Sequence, residues 1–308
     1  MLFSIDQAND GRVLRGFLQE LGVSAALCAR LKRSERGMLL NGCRVSVRAV
    51  LHAGDTLELA IEDDAPSCGV VPRPLPLEVL LETDGMLVLN KPANMPTHPS
   101  HGHFEDTLAN ALVYHYSTES TPFVPRFINR LDRNTTGAVL VARHALAAAS
   151  LSRAMAEGRI RKTYLALVHG RLESPVTLET GIRRRAESII FREVCAVGEG
   201  DLAITQVTPL FVGECSTLVR LTPQTGRTHQ LRVHMAHIGH PLLGDDLYGG
   251  PEEFGRHALH AATLTLPLSG EEITVCAPLP EDMRRYLKAL GKGALQLAEQ
   301  ETEHKGSA

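Results

Sequence analysis

The sequence predicts an α+β protein with a mixed, largely antiparallel, twisted sheet flanked by helices, preceded by a small N-terminal α/β domain. Apolar runs of strand length do not alternate strictly with helical patterns, as they would in a doubly wound fold. Several of these runs are joined by short turn segments such as Gly213-Glu214, which is typical of antiparallel hairpins. The chain has 308 residues, a length that suits two domains.

The composition is that of a globular protein, with 44% hydrophobic and 22% charged residues. No apolar run approaches the roughly 20 residues that span a bilayer. The start, Met1–Gln7, lacks the basic and apolar segments of a signal peptide, so we expect a cytoplasmic location. Six scattered cysteines form no C-x-x-C pair, which disfavours a thiolate zinc site and indicates reduced thiols.

The charge and aromatic content exclude some modes of nucleic-acid binding. A formal net charge of -3 argues against binding by bulk charge but leaves local basic patches open. Aromatic residues make up 4% of the chain and Trp is absent, so a broad stacking platform has no support. The chain has no G-x-G-x-x-G or phosphate-loop motif, which gives no support for a nucleotide cofactor.

Residues 1–62 are predicted to form the N-terminal domain. A helical face lies within Val13–Leu21, and a second helix, Ala25–Lys32, ends in a basic run. Asn41-Gly42 is a tight-turn signal between apolar runs, and a strand begins at Gly54-Asp55. This order resembles the small alpha-L RNA-binding domain. A plain capping domain without RNA contacts is the alternative.

The remaining chain is predicted as a proline-rich linker (63–76), a second domain (77–290) and a flexible tail (291–308). The first strand of the second domain, Gly85–Asn90, ends at Lys91-Pro92 because proline cannot continue a central ladder. The further predicted helices and strands are the helices Thr107–Tyr116, His144–Glu157, Thr225–Gly239 and Asp282–Leu290, and the strands Ala138–Ala142, Arg159–Gly170, Leu202–Val212, Ser216–Leu221, His260–Pro267 and Glu272–Cys276.

One charged segment precedes the most buried of these strands. Arg130, Asp132 and Arg133 are followed by a turn-forming Asn134-Thr-Thr-Gly137 and then by Ala138–Ala142. A charged loop joined to a buried strand can hold a reactive group on a rigid element. The alternative is that Asp132 serves only a surface turn, where Asp side chains commonly bond to their own backbone.

Two groups of histidines invite a metal interpretation, which the spacing does not favour. His98, His101 and His103 lie in one loop without a completing carboxylate or cysteine. His229, His234, His237 and His240 contain no HExxH pattern. We therefore expect no metal site.

Four segments, in order, resemble the RluA-type pseudouridine synthases, and together they cover most of residues 77–280. Asp84–Pro92 with His98-Pro99 resembles the family's opening strand, and Asn129–Gly137 resembles its catalytic loop. Arg161–Gly170 resembles its tyrosine-bearing strand. Thr225–His234 with Gly239–Tyr248 resembles its T-G-R-x-H-Q-I-R-V-H element and the G-H-P-x-x-G-D tail of that element. The resemblance implies the pseudouridine synthase fold, conversion of uridine to pseudouridine in RNA, and no cofactor.

The resemblance also implies roles for individual residues. Asp132 would be the catalytic carboxylate, Tyr164 the aromatic residue beside the target base, and Arg232 the partner of Asp132. Arg130 would help to displace the target nucleotide. The candidates for contacts with substrate RNA are Arg130, Arg133, Lys91, Arg161, Lys162, Arg227 and His229, although His229 is also interpreted as structural. Asn129 replaces the family's usual histidine, which we interpret as subgroup variation.

The chemistry agrees with these residue types. The reaction breaks a C1′–N1 bond and forms a C1′–C5 bond without redox change, so it requires no metal, nicotinamide or flavin. The carboxylate could attack the sugar, attack the base or remove a sugar proton, and the sequence leaves these routes open. An arginine beside Asp132 would keep it ionised, and the target nucleotide must be flipped out of its helix to reach it.

The substrate and two other functions are left open by the sequence. Ribosomal RNA of the large subunit and transfer RNA are both candidate substrates, and a monomer is expected. The first alternative function is an RNA-binding module with an inactive synthase domain. The second is a hydrolase with an Asp nucleophile, which would need a second carboxylate from Glu157 or Asp245.

Overall fold

A computed structural model describes residues 1–63, 69–117, 122–268 and 270–303 of the chain. The N-terminal domain contains two helices and a four-stranded sheet of order β1-β4-β2-β3. Its elements are β1 (Leu2–Ser4), α1 (Leu14–Glu20), α2 (Ala25–Arg33), β2 (Met38–Leu40), β3 (Cys43–Arg44) and β4 (Thr56–Leu59). The expected tight turn joins β2 to β3, where Asn41 and Gly42 have φ values of 50° and 78°. Strand β1, which the sequence did not predict, pairs with β4.

The second domain is built on a sheet of eleven strands among the described residues, with order β11-β10-β12-β13-β9-β14-β8-β6-β5 and with β15 and β7 paired to β14 and β8. Its elements are β5 (Val79–Glu82), β6 (Met86–Lys91), α3 (Leu108–His115), β7 (Arg126–Phe127), β8 (Thr136–Ala142), α4 (Ala145–Ala156), β9 (Arg161–His169), β10 (Val176–Arg184), β11 (Arg192–Cys195), β12 (Asp201–Val212), β13 (Ser216–Pro223), α5 (Gln230–His237), β14 (Leu259–Leu268), β15 (Glu271–Cys276), α6 (Glu281–Leu290) and α7 (Ala294–Thr302).

Nearly all strand pairs in the described chain are antiparallel, and β8 with β14 is the parallel exception. The predicted α+β class with a mixed, largely antiparallel sheet is therefore confirmed. All seven residues of β8 are buried. This burial agrees with an apolar, partly β-branched strand at the centre of a two-sided sheet.

The two domains share a hydrophobic core at helix α4. Leu146 of α4 is 7% exposed and belongs to the cluster formed by Leu14, Leu18, Leu27 and Leu31 of the N-terminal helices. At the start of the predicted linker, Asp63 accepts a hydrogen bond of 2.9 Å from Arg126. Residues 64–68 of that linker lie outside the described chain.

The predicted boundary of the Arg232 helix was wrong. The helix α5 begins at Gln230 and not at Thr225, because His229 has a left-handed φ of 57° that interrupts helical geometry. Thr225–His229 is a turn in which the Gln230 side-chain oxygen accepts hydrogen bonds from the Thr225 hydroxyl (2.8 Å) and the Arg227 amide (3.0 Å). This turn places His229 and Arg232 on the side of the helix that faces the loop of Asp132.

Half of the predicted tail (291–308) is helical and packs against the sheet. Residues Ala294–Thr302 form α7, in which Ala294 and Ala298 are fully buried in a core cluster. Arg220 of β13 donates a hydrogen bond of 2.9 Å to Glu301 and fastens the helix to the sheet. Small apolar residues four positions apart give a helical face that packs closely. Residues 304–308 lie outside the described chain.

Among the described residues, no helix has the length and apolar character needed to cross a membrane.

Candidate active site

Asp132 lies in the loop between β7 and β8, one turn before the buried strand. Its side chain is 28% exposed, whereas Leu131 beside it is buried in the main core. The backbone of the loop is fixed on both sides of the carboxylate: the Thr97 hydroxyl donates to the Leu131 carbonyl (3.0 Å) and the Thr135 amide donates to the Asp132 carbonyl (3.0 Å). The loop therefore presents a partly exposed carboxylate from a backbone that is fixed by hydrogen bonds.

Arg232 joins Asp132 to a second carboxylate. Its Nη1 donates to Asp132 Oδ2 at 3.1 Å, while Nε and Nη2 donate to the two oxygens of Asp245 at 2.8 and 2.7 Å. The guanidinium also lies 5.2 Å from the centre of the Tyr248 ring. Burial alone would lower the pKa of Arg232, but the hydrogen bonds and charges of Asp245, and then of Asp132, raise it above its ordinary value.

The sequence did not identify Asp245 as the main partner of Arg232. Asp245 is fully buried and accepts further hydrogen bonds from the amides of Leu247 and Tyr248 at 3.2 and 3.3 Å. Gly244 makes this turn possible, because a β-carbon there would lie 1.8 Å from the Phe254 carbonyl oxygen. The signal for this role was the G-D-D segment, whose glycine marks a close approach of two backbones.

The contacts of Asp245 and Glu157 argue against either residue as the second carboxylate that a hydrolase would need. Asp245 is held in a bidentate ion pair with Arg232, so it has no free oxygen directed at a substrate. Glu157 is exposed and pairs with Arg159 at the end of α4. Neither residue is placed to act as a general acid opposite Asp132.

Strand β14 brings Tyr164 and the catalytic loop together. Its residue Ala261 is paired on one side with Tyr164 of β9 and on the other with Gly137, directly after the turn that follows Asp132. Tyr164 is 8% exposed, and burial, followed by the negative charge of Asp132, raises its pKa well above the ordinary value. The phenol is therefore neutral at physiological pH.

His229 lies between Asp132 and Tyr248. Its Nε2 is 3.8 Å from Asp132 Oδ2, and its Nδ1 forms a hydrogen bond of 2.8 Å with the Tyr248 hydroxyl. Burial lowers the pKa of His229 even though the Asp132 carboxylate opposes this effect. The Tyr248 hydroxyl also accepts the Arg192 amide at 3.0 Å, which connects β11 to the site. Tyr248 was not among the residues that the sequence singled out individually.

The remaining RNA-contact candidates differ in how accessible they are. Arg130, Arg133 and Arg227 are exposed on the protein surface. Arg161 is exposed but forms a bidentate ion pair with Glu272 at 2.8 Å. Lys162 is partly buried, and this burial lowers its pKa.

Lys91 is placed differently from the prediction. It is fully buried, and its Nζ donates to the carbonyls of Pro92, Met95 and Arg133 at 2.7, 2.8 and 2.9 Å. All three donors of the ammonium group are used, so the expectation of a phosphate contact is wrong for Lys91. Lys91 instead ties the end of β6 to the backbone of the catalytic loop. Burial, the largest effect, lowers its pKa to about 7.

The structure gives Asn129, which replaces the usual histidine, a backbone role. Its Oδ1 accepts the Leu140 amide at 2.7 Å and its Nδ2 donates to the Ala138 carbonyl at 3.3 Å. The side chain therefore pairs with β8 as a neighbouring strand would, and it fixes the start of the catalytic loop.

Two of the histidines that suggested a metal, one from each group, have hydrogen-bond partners in the protein. His103 contacts Asp106 at 2.6 Å and Arg133 at 3.3 Å, and His234 contacts the hydroxyls of Thr205 and Thr180 at 2.9 and 3.0 Å. Within the part of the chain that the structure describes, no three His, Cys, Asp or Glu side chains are grouped to hold a metal ion.

Comparison with known proteins identifies the class. Residues 85–237 match the family model described as RNA pseudouridylate synthase. An uncharacterized RNA pseudouridine synthase of Bacillus subtilis, YjbO, is 38% identical over 279 residues, covering 89% of this chain and 98% of that protein. The ribosomal large subunit pseudouridine synthase D of Xanthomonas campestris is 35% identical over 280 residues, covering 85% and 83% of the two chains.

The fold agrees with these relatives. The solved structure of human RNA pseudouridylate synthase domain containing 1 has a TM-score of 0.57 with 32% identity, and the alignment covers 70% of this chain and 86% of that one. The mixed sheet, together with the relatives, defines an RNA pseudouridine synthase. The chain belongs to the RluA-type family of these enzymes, which isomerise uridine to pseudouridine in RNA.

Proposed function

We propose that Asp132 is the catalytic carboxylate of this synthase and that its substrate is a uridine in ribosomal RNA of the large subunit. One observation supports the catalytic role above all others: Asp132 is partly open to solvent while its partner, Arg232, is buried. A carboxylate that is accessible to a substrate, yet held on its other side by a buried cation, keeps a fixed orientation.

Arg232 acts on Asp132 in two ways in this proposal. Its charge-assisted hydrogen bond at 3.1 Å fixes Asp132 Oδ2, and this single bond leaves the other carboxylate oxygen, Oδ1, available. Asp245 accepts the other donors of the guanidinium and prevents its rotation. The ion pair thus orients Asp132 before the RNA arrives, which reduces the reorganisation needed in the transition state.

In this proposal, Tyr164 and His229 lie beside the Asp132 carboxylate and contact the target nucleotide. The Tyr164 ring packs against the core and can present an edge or face to the uracil ring, as aromatic side chains do with unstacked bases. His229, largely neutral above its lowered pKa, can donate or accept a hydrogen bond without adding positive charge near Asp132.

The exposed arginines next to the site supply contacts with the RNA backbone. Arg130 and Arg133 flank Asp132, and Arg227 lies in the turn that precedes α5. We propose that Arg130 assists in displacing the target nucleotide and that Arg133 and Arg227 bind phosphates. Lys162 and Arg161 are secondary candidates because one is partly buried and the other is paired.

We propose further that the N-terminal domain is an alpha-L-like RNA-binding domain. Its helix α2 ends with the cations Arg30, Lys32 and Arg33 in the last turn. Such a cluster can contact RNA phosphates and increase affinity for a large structured substrate. Since Asp132, Tyr164 and Arg232 all come from one chain, a monomer can carry the complete site.

The choice of substrate is supported by the named relatives that act on the ribosomal large subunit. Transfer RNA is the competing substrate. Ribosomal RNA would also agree with a cytoplasmic location, where ribosomes are found.

Site-resolved pseudouridine maps of total RNA, from cells with and without the gene, test this proposal. We expect at least one uridine of large-subunit ribosomal RNA to lose its modification in the deletion strain and to regain it when the wild-type gene is restored. Loss confined to transfer RNA would reject the proposed substrate while keeping the enzyme class.

A further inference from the structure

A cavity of about 780 Å³ lies beside the loop that carries Asp132. Its lining includes Arg133 and Asn134, the two residues that follow Asp132, together with Phe254 and with Arg285 and Tyr286 of α6. Pockets of 300–1,000 Å³ are the size that holds small organic ligands, so this volume is sufficient for a nucleotide.

Two exposed cations stand at its edge. Arg285 makes no hydrogen bond or ion pair with any residue that the structure describes, and its side chain is exposed on α6. Arg133, which also lines the cavity, has one side-chain contact within the described chain, with His103 Nε2 at 3.3 Å. Glu253 is an acidic residue of the same lining. Two arginines with free donors suit a phosphate group.

A third arginine of the lining, Arg256, is already paired. Arg256 is 8% exposed and donates to both oxygens of Asp282 at 2.7 and 3.1 Å. Its Nη1 also donates to the Asn134 carbonyl at 3.0 Å, in the segment that follows Asp132. The charge of Arg256 is therefore neutralised, and the attraction for an anion comes from Arg133 and Arg285.

The lining also carries groups that can contact a base. The side-chain amides of Asn94 and Asn134 form no hydrogen bond with the described residues, and each can both donate and accept. The Tyr286 ring is held by a hydrogen bond of 3.1 Å to Ser216 and by an edge contact with Phe254 at 5.9 Å between ring centres. Amide groups and a fixed ring are the usual means of binding an unstacked base.

We propose that this cavity binds the nucleotide adjacent to the target uridine, with its phosphate at Arg133 and Arg285 and its base against Asn134 and Tyr286. The inference rests on the proposed role of Asp132. Arg133 follows Asp132 directly and lines the cavity. An RNA strand that delivers a uridine to Asp132 therefore continues past Arg133 and along the cavity. A splayed neighbouring nucleotide in this position would contribute to the selection of the modified site.

The phosphate contact is tested with the full-length protein and an RNA stem-loop that contains its mapped uridine. We expect Arg285→Ala to raise KM by about tenfold, equivalent to about 1.4 kcal/mol, with kcat within about twofold of the wild type. The slope of log K against log salt should decrease in magnitude by about 0.7, the value for one single-strand phosphate. Lys288→Ala, an exposed cation on the same helix outside the cavity, is the matched control and should change neither quantity.

The base contact is tested with RNAs in which each nucleotide flanking the uridine is made abasic in turn. We expect one abasic position to weaken binding to the wild type but to have little further effect on Asn134→Ala, since both changes remove the same contact. Provided that the wild type turns over, either of two results would overturn this inference. The first is that Arg285→Ala and Lys288→Ala have the same KM and salt dependence. The second is that the effects of Asn134→Ala and of the abasic change on binding are additive at every flanking position. Absence of wild-type turnover on any RNA would instead reject the proposed function.

Discussion

Arg232 is the residue that holds the site together, because one guanidinium bonds both the proposed catalytic carboxylate and a fully buried one. Neither carboxylate could keep its position alone. Asp132 would lose its only cationic hydrogen-bond partner among the described residues, and Asp245 would be left as an uncompensated charge in the interior. The cost of an unpaired buried charge is much larger than the net stabilisation by the pair.

Arg232→Ala is therefore expected to reduce both stability and catalysis. Loss of the partner of Asp245 should lower the free energy of unfolding by about 3–5 kcal/mol, and kcat/KM should fall because Asp132 loses the hydrogen bond that orients it. Denaturant titrations and steady-state kinetics measure the two effects. Arg159→Ala, which breaks an exposed pair with Glu157, should change stability by less than about 1 kcal/mol. An unchanged kcat/KM for the Arg232 variant would contradict its role in orienting Asp132.

Strand β14 is the element that positions the site, since it separates β9, which carries Tyr164, from β8, which follows Asp132. The close approach of β8 and β14 depends on Gly137. Its φ is 105°, and a β-carbon there would lie 2.2 Å from the Ala261 carbonyl oxygen. No side chain fits without separating the two strands at the point where the catalytic loop enters the sheet.

We expect Gly137→Ala to destabilise the protein by at least about 2 kcal/mol, from the strained φ together with the backbone conflict. Gly198→Ala is the matched control, because Gly198 has a similar positive φ (96°) but no atom within 4 Å of its β-carbon position. The control should show only the cost of the φ angle, about 1 kcal/mol. Thermal and denaturant unfolding measure the loss of stability in both variants. Equal losses of stability would show that the close approach of the Ala261 carbonyl adds no cost at position 137.

Local patterns in the sequence predicted the elements whose signals are local. Burial of β8 follows from its apolar run, the β2–β3 turn from Asn41-Gly42, and the hairpin of β12 and β13 from Gly213-Glu214. The start of α5 could not be predicted in the same way, because a left-handed His229 depends on its contacts with Tyr248. Helix α7 was missed because its polar residues resemble a tail, and its burial depends on packing against the sheet.

The site was predictable to the extent that its residues lie in recognisable segments. Asp132, Tyr164 and Arg232 were identified in this way, and the structure places the first and third in contact. The burial of Lys91 was not predictable, because a lysine at a strand end is usually exposed and only the fold brings three carbonyls to it. The pairing of Asp245 with Arg232 depends on the same long-range geometry.

At the scale of the whole molecule, three buried histidines link stability to pH. Burial is the largest effect in each case, and it lowers the pKa of His234 and His260 to about 4 and that of His257 to about 2. In the unfolded chain these groups titrate near their ordinary value of about 6.5. Between these values the unfolded state binds more protons than the folded state, so protonation favours unfolding.

Stability is thus expected to be fully present above about pH 6.5 and to decline as the pH falls towards about 4, by up to about 1.4 kcal/mol for each unit of pKa difference. His234→Gln should make this decline less steep whatever its effect on absolute stability, while His101→Gln, at an exposed position, should leave it unchanged. Denaturant midpoints measured from pH 8 to pH 4 give the slope of stability against pH for the wild type and for each variant. A decline of equal steepness in the wild type and His234→Gln would contradict the role of this residue.

The central claim, that the carboxylate of Asp132 performs the isomerisation, is tested most directly by single-turnover release of tritium from 5-tritiated uridine in the mapped RNA. The Asp132→Asn variant is nearly isosteric, so it should bind this RNA with an affinity close to that of the wild type. It should nevertheless release no label above background. Release by Asp132→Asn at the wild-type rate would contradict the account.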